Sequence, residues 1–146
     1  MNDYETRLNQ IIHHFDEKKN KKLHTDIFIR LCKKVSNEDA EISSQIKHTY
    51  TLLSELDNNN DIKPKAYIKS FNLLKKTVRN NLGYTHRGLL QEEYTGIGIA
   101  IGVAIGSVFI TVNPISIGVG IPIGLAIGAS IGRKKENEAE EAGKTY

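Results

Sequence analysis

The fold is decided by residues 95–132, which read TGIGIAIGVAIGSVFITV (95–112), Asn113-Pro114, then ISIGVGIPIGLAIGASIG (115–132). Each apolar run is 18 residues long and as a helix rises about 27 Å, just enough for a bilayer core of roughly 30 Å. Between Tyr94 and Gly132 there is no charged residue, so all 20 Lys and Arg and all 17 Asp and Glu lie outside that stretch. A connection as short as Asn113-Pro114 allows only an antiparallel hairpin, whose two ends emerge on one side. Arg79 and Arg87 precede it and Arg133, Lys134 and Lys135 follow it, and the excess of cations places that side in the cytoplasm. The expectation is a multi-pass cell-membrane protein with both termini cytoplasmic.

Glycines recur every fourth residue in both arms: Gly98, Gly102 and Gly106 in the first, Gly120, Gly124, Gly128 and Gly132 in the second. A stripe without side chains lets helix backbones approach closely, and in lipid such packing replaces the hydrophobic drive. Pairing Gly98 with Gly132, Gly102 with Gly128 and Gly106 with Gly124 centres the hairpin on Ile115, beside Pro114. A second small-residue series, Gly96, Ala100 and Ala104 with Gly118, Pro122, Ala126 and Ser130, is offset by two positions. That is about 200° around a helix, so one face closes the hairpin and the other is expected to meet a second copy in a homo-oligomer. Strands are the rival, since Ile97, Ile99, Ile101, Val103 and Ile105 alternate with small residues. Against them stand the glycine density, Pro122, and the unpaired backbone a lone strand pair would leave in lipid.

Residues 1–93 read as a different kind of chain. Apolar residues at helical spacing form four stripes: Tyr4, Leu8, Ile11, Ile12 and Phe15; Leu23, Ile27, Phe28, Leu31, Cys32 and Val35; Ile42, Ile46, Leu53 and Leu56; and Tyr67, Phe71, Leu74, Val78 and Leu82. Lys18, Lys19, Lys21 and Lys22 mark the end of the first helix. Ser36 is the expected cap of the third, with Glu38 and Asp39 at its positive end. The run Asp57-Asn58-Asn59-Asn60-Asp61 reads as a loop, Pro64 suits the first turn of the fourth helix, and Gly83 its left-handed stop. The fold class is therefore all-α: a cytosolic four-helix bundle (1–93), a two-helix glycine-zipper transmembrane hairpin (94–132), and a charged cytosolic tail (133–146) that is expected to be mobile after Lys135.

The fourth helix is basic. Lys63, Lys65, Lys69, Lys75, Lys76, Arg79 and Arg87 occur with no acid between Ile62 and Gln91. Because this segment leads straight into the apolar one, the anionic inner leaflet is the expected partner, through Lys69, Lys75, Lys76, Arg79, Arg87, Arg133, Lys134 and Lys135, with Tyr94 as interfacial anchor. Nucleic acid is disfavoured, because no binding motif accompanies the charge. Glu92 and Glu93 are expected to cap the first membrane helix or to pair with Arg133 and Lys134.

Chemistry finds little footing. His13, His14, Glu17, His24, Cys32 and His48 lack metal-ligand spacing, Cys32 falls on an apolar stripe where a thiol is inert, and no phosphate-binding glycine loop occurs. No catalytic residue, metal or cofactor is expected. The N-terminus, Met1-Asn2-Asp3-Tyr4-Glu5, lacks the basic and apolar regions of a secretory signal, so a reducing cytosolic setting is expected for residues 1–93.

Through Gly98-xxx-Gly102-xxx-Gly106, Gly120-xxx-Gly124-xxx-Gly128-xxx-Gly132 and the charged Arg133-Lys134-Lys135-Glu136 that follows, about 40 residues resemble the glycine-zipper membrane proteins of bacteria. That resemblance implies a self-associating membrane hairpin, in a group that spans anchors and membrane-permeabilising toxins. In size and helix count alone, residues 1–93 resemble the small four-helix bacteriocin immunity proteins. The leading expectation is a non-enzymatic anchored interaction protein, whose bundle holds a protein partner at the inner membrane face. The alternatives are a membrane-permeabilising or pore-forming effector and an immunity or protective membrane protein.

Overall fold

A computed structural model describes residues 3–35, 39–58, 64–109 and 115–146, with backbone alone for 3–5. Among them the protein is all-helical: α1 (Asp3–His14), α2 (Glu17–Leu23), α3 (Thr25–Val35), α4 (Ala40–Asn58), α5 (Lys65–Leu82), α6 (Leu89–Val108) and α7 (Ser116–Glu141). The chain divides into two compact units, one of residues 1–84 with Tyr146, the other Thr85–Thr145.

The first unit has five described helices where four stripes were read. The lysines expected to end the first helix belong to α2, a helix of their own. Asp16 starts it by accepting the Lys19 amide at 2.6 Å. His24 ends it in the left-handed region at φ 51°, returning its amide towards Asn20 and Lys21. Asn20 then ties the corner, donating to the carbonyls of Ile12 and Phe15 and accepting from the Thr25 hydroxyl.

Asp39 caps α4, its carboxylate accepting the amides of Glu41 at 2.7 Å and Ile42 at 3.4 Å. Ser36, expected as the cap, and Glu38, expected beside Asp39 at the helix's positive end, lie outside the described residues. Helix α4 runs two residues into the expected loop, through Asn58, and residues 59–63 lie outside the described set. Gly83 stops α5 as anticipated, at φ 70° with its amide on the Arg79 carbonyl.

The core follows the stripes. Leu8, Ile11, Phe15, Leu23, Phe28, Leu31, Cys32, Val35, Ile42, Ile46, Leu53, Leu56, Tyr67, Phe71, Leu74 and Val78 are all buried, while Ile27 and Leu82 pack half-buried at its edge. Thr49 fills the gap between Ile46 and Leu53, and its hydroxyl meets that of Ser70 at 2.7 Å, so a polar group enters the apolar face with its partner. At the centre Phe28 packs edge-on against Phe71 (5.4 Å) and Tyr67 (6.2 Å), and Tyr67 stacks on Phe71 (5.9 Å). Such pairs add about 0.5–1.5 kcal/mol each beyond area burial. Tyr146 is also buried in this unit, and burial pushes its phenol up to about 12.

The Tyr67 hydroxyl donates to the Leu23 carbonyl at 3.1 Å in the interior, pinning α5 to the end of α2. Burial first, then the neighbouring Cys32 and Asp26, holds its phenol well above the ordinary 10.0. Since the unfolded phenol ionises near 10 and the folded one only higher, this group's contribution is full below pH 10 and is lost as pH climbs from there. Urea unfolding should show Tyr67→Phe losing about 1–3 kcal/mol at neutral pH, from the stranded Leu23 carbonyl. The gap between the two proteins should narrow above pH 10.

Candidate membrane-spanning helix pair

In the second unit α6 and α7 pack antiparallel along their glycine stripes. A Cβ built on Gly98 would strike the Gly124 carbonyl and lie 2.8 Å from the Gly128 Cα; one on Gly102 would strike the Gly120 carbonyl; one on Gly106 would lie 2.7 Å from the Ile117 Cα. From the other helix, Gly120 meets Gly102, Gly124 meets Gly98, Gly128 meets the Tyr94 carbonyl, and Gly132 stands 2.7 Å from the Gln91 Cα. All seven expected packing glycines thus face backbone on the partner helix at distances no side chain tolerates.

Their register differs from the expected one. Gly98 stands between Gly124 and Gly128 rather than opposite Gly132, and Gly102 between Gly120 and Gly124 rather than opposite Gly128, a displacement of about six residues, or roughly 9 Å along the helix. Two ladders of period four can meet with their glycines opposed or interleaved, and either fit recurs after a shift of four, so glycine spacing alone leaves the register open; here they interleave. Polar groups at the ends of the pair select it. At one end the Ser116 hydroxyl donates to the Gly106 carbonyl at 2.7 Å. At the other, the Glu136 carboxylate, only 7% exposed, accepts the amides of Gly88 at 2.8 Å and Leu90 at 3.2 Å. Those amides are orphans of the α6 N-terminus, where the helix dipole also favours an anion. Glu136 thus performs the capping expected of Glu92 and Glu93. Its signal was present in the sequence, because it continues the Gly120-Gly124-Gly128-Gly132 period by one more step onto the same face. The expected turn at Asn113-Pro114 lies outside the described residues.

The pair is inverted relative to a soluble core. Its buried positions are Gly98, Gly102, Gly106, Gly124, Gly128, Gly132 and Glu136. Its large aliphatics point outward: Ile97, Ile101, Ile105, Ile115, Val119, Ile123, Ile127 and Ile131 are 45–69% exposed. The hydroxyls of Thr95, Ser107 and Ser130 fold back onto carbonyls of their own helix, which satisfies them without water. Helix α7 is long and apolar enough to cross a membrane. Described α6 falls short of that, because Gln91, Glu92 and Glu93 occupy its first turns and it ends at Val108, before the apolar run does.

The second small-residue series is uncovered. Gly96, Ala100, Ala104, Gly118, Pro122, Ala126 and Ser130 are exposed, and an added Cβ at Gly96 or Gly118 would meet nothing within 4 Å. Pro122 sits inside α7 on this open side, where its ring has room.

The cations expected at the membrane surface are dispersed over both units. In the second, Arg87 pairs with Glu140 at 2.6 Å and Lys135 with Glu138 at 2.9 Å. The latter contact raises the ammonium and lowers the carboxyl from their ordinary values. Arg133 and Lys134 are exposed and Tyr94 half-buried. The tail expected to be mobile is helical to Glu141, and beyond it the Thr85 amide bonds the Lys144 carbonyl at 2.9 Å. In the first unit Lys69, Lys76 and Arg79 are exposed, whereas Lys75 lies over the Phe71 ring at 4.9 Å and burial lowers its pKa. Among the described residues no three His, Cys, Asp or Glu side chains converge as a metal site. Compared with family models, curated proteins and solved structures, the chain matches none.

Gly124→Ala should loosen the helix pair by 2 kcal/mol or more, the order of an overpacked core. Gly96→Ala, facing open space, should leave it unchanged or add about 0.5–1 kcal/mol through helix propensity. Thermal melts followed by circular dichroism in detergent compare the two. In the same assay Glu136→Ala, which strands two amides, should cost about 1–3 kcal/mol.

Proposed function

We propose that this is a non-enzymatic membrane-anchored interaction protein. In this reading α6, α7 and the apolar residues between them form a self-associating glycine-zipper hairpin of bacterial type that crosses the inner membrane twice. Residues 1–93, as a helical bundle, hold a protein partner at the cytoplasmic face, with both termini on that side. The observation that carries it is the inversion of the α6–α7 pair, with backbone and glycine inside and isoleucine outside. In water such a pair would expose a continuous aliphatic surface of the kind that marks a membrane or protein interface. In lipid the same surface is solvated, and close backbone packing supplies the association. Arg133, Lys134 and Lys135 at the end of the apolar run favour the cytoplasmic side for that end.

A second reading, a membrane-permeabilising effector, draws on the open small-residue face along Gly96, Ala100, Ala104, Gly118, Ala126 and Ser130, which suits assembly of several copies around a pore. Cells induced to make the full chain distinguish the two. The anchor reading expects the protein to resist alkaline carbonate extraction and to leave membrane potential and dye exclusion unchanged. A collapse of potential that disappears in the Gly102→Leu/Gly128→Leu variant at matched levels would replace it with the effector. Release of the intact chain by carbonate would refute both.

A further inference from the structure

Leu73 is the one large hydrophobic residue of the first unit that stands exposed among the described residues, at 56%. Every other such residue lies on or beside α6 and α7. On α5 it points away from the buried Tyr67-Phe71-Leu74-Val78 stripe, with Lys69 one turn before it and Lys76 one turn after, both exposed. It forms the lip of an open groove of about 730 Å³ between α4 and α5, with Leu52 from α4 opposite, His48 and Ser70 on the rim, and no carboxylate in its lining. Lys75, drawn over Phe71, does not share this face. Six residues, Gly83 to Gly88, join α5 to α6, so the face is carried on a short tether to the apolar pair.

We infer that the outward face of α5 is a lipid-docking surface, in which Lys69 and Lys76 engage the phosphates of anionic lipids while Leu73 enters the acyl boundary between them. This rests on the membrane reading above and adds to it a headgroup preference and an inserting residue. A basic face with an apolar residue at its middle is the arrangement by which interfacial helices combine charge attraction with burial of apolar area. No acid occurs on α5 from Lys65 to Leu82, so this helix itself brings no repulsion to an anionic surface.

The chain contains no tryptophan, so Leu73→Trp introduces a single reporter at an exposed position. The full chain carrying it is placed in nanodiscs of phosphatidylcholine alone or mixed with phosphatidylglycerol. The expected result is a blue-shifted emission, quenched by brominated acyl chains, in the anionic discs and not in the neutral ones. That response should be lost when Lys69→Glu and Lys76→Glu are added, with helical content unchanged. A tryptophan that stays water-like in anionic discs that do hold the chain overturns this inference alone and leaves the face to a protein partner. Failure of the chain to enter discs of either composition overturns the membrane reading beneath it as well.

Discussion

Backbone-to-backbone contact between α6 and α7 is the constraint on which the second unit depends. At Gly98, Gly102, Gly124 and Gly128 the opposing main chain occupies the place where a side chain would begin. Close approach at these points leaves nowhere for the isoleucines between them except the outside. Tight packing and the exposed aliphatic surface are thus one fact: an alternation of small residues and isoleucine, wound on a helix, puts one small-residue series on the closed face, the other on nearly the opposite face, and the large residues between them on the outside. The protein buries main chain where an ordinary domain buries side chains.

The first unit works by the opposite rule. Its stability comes from apolar side chains removed from water, gathered around Phe28, Tyr67 and Phe71, and the hydroxyls of Thr49 and Tyr67 are bonded where they enter that core, to Ser70 and to the Leu23 carbonyl. Two packing principles thus stand side by side in one chain of 146 residues. The first unit gathers its side chains away from water, whereas along the second the hydroxyls of Thr95, Ser107 and Ser130 bond carbonyls of their own helices and need no water.

Periodicity made the core of the first unit legible almost residue by residue, because burial at i, i+3, i+4 and i+7 follows from helix geometry alone. The same reasoning found every packing glycine. It missed α2, because a seven-residue helix of Glu, Lys and Asn with only Leu23 buried carries no apolar period. What defines it is the Asp16 cap and the left-handed His24, both local backbone features. It also placed the α4 cap at Ser36, although Asp39 holds the amides nearest the helix start, for Ser and Asp are comparable caps and the stripe does not say which of two candidates three residues apart is used. The basic residues of α5 were legible only as a set: charge counting cannot tell that Lys75 lies over Phe71 while Lys69 and Lys76 are exposed, since that depends on rotation about the α5 axis.

The register of the helix pair shows why repetitive motifs need irregular partners. A glycine ladder favours close approach equally at every shift of four residues, so its packing term has several near-equal minima. Ser116 and Glu136 break that degeneracy because each forms hydrogen bonds in one alignment only, the first to Gly106 and the second to Gly88 and Leu90. A one-turn slip would move the Glu136 carboxylate by about 5.4 Å, away from both amides, and would leave a buried charge without the donors that hold it. Glycines therefore set how close the helices come, and two polar residues at opposite ends set where along their length they meet. The first property is repeated seven times in the sequence. The second rests on single positions, so substitutions there shift the alignment without opening the pair.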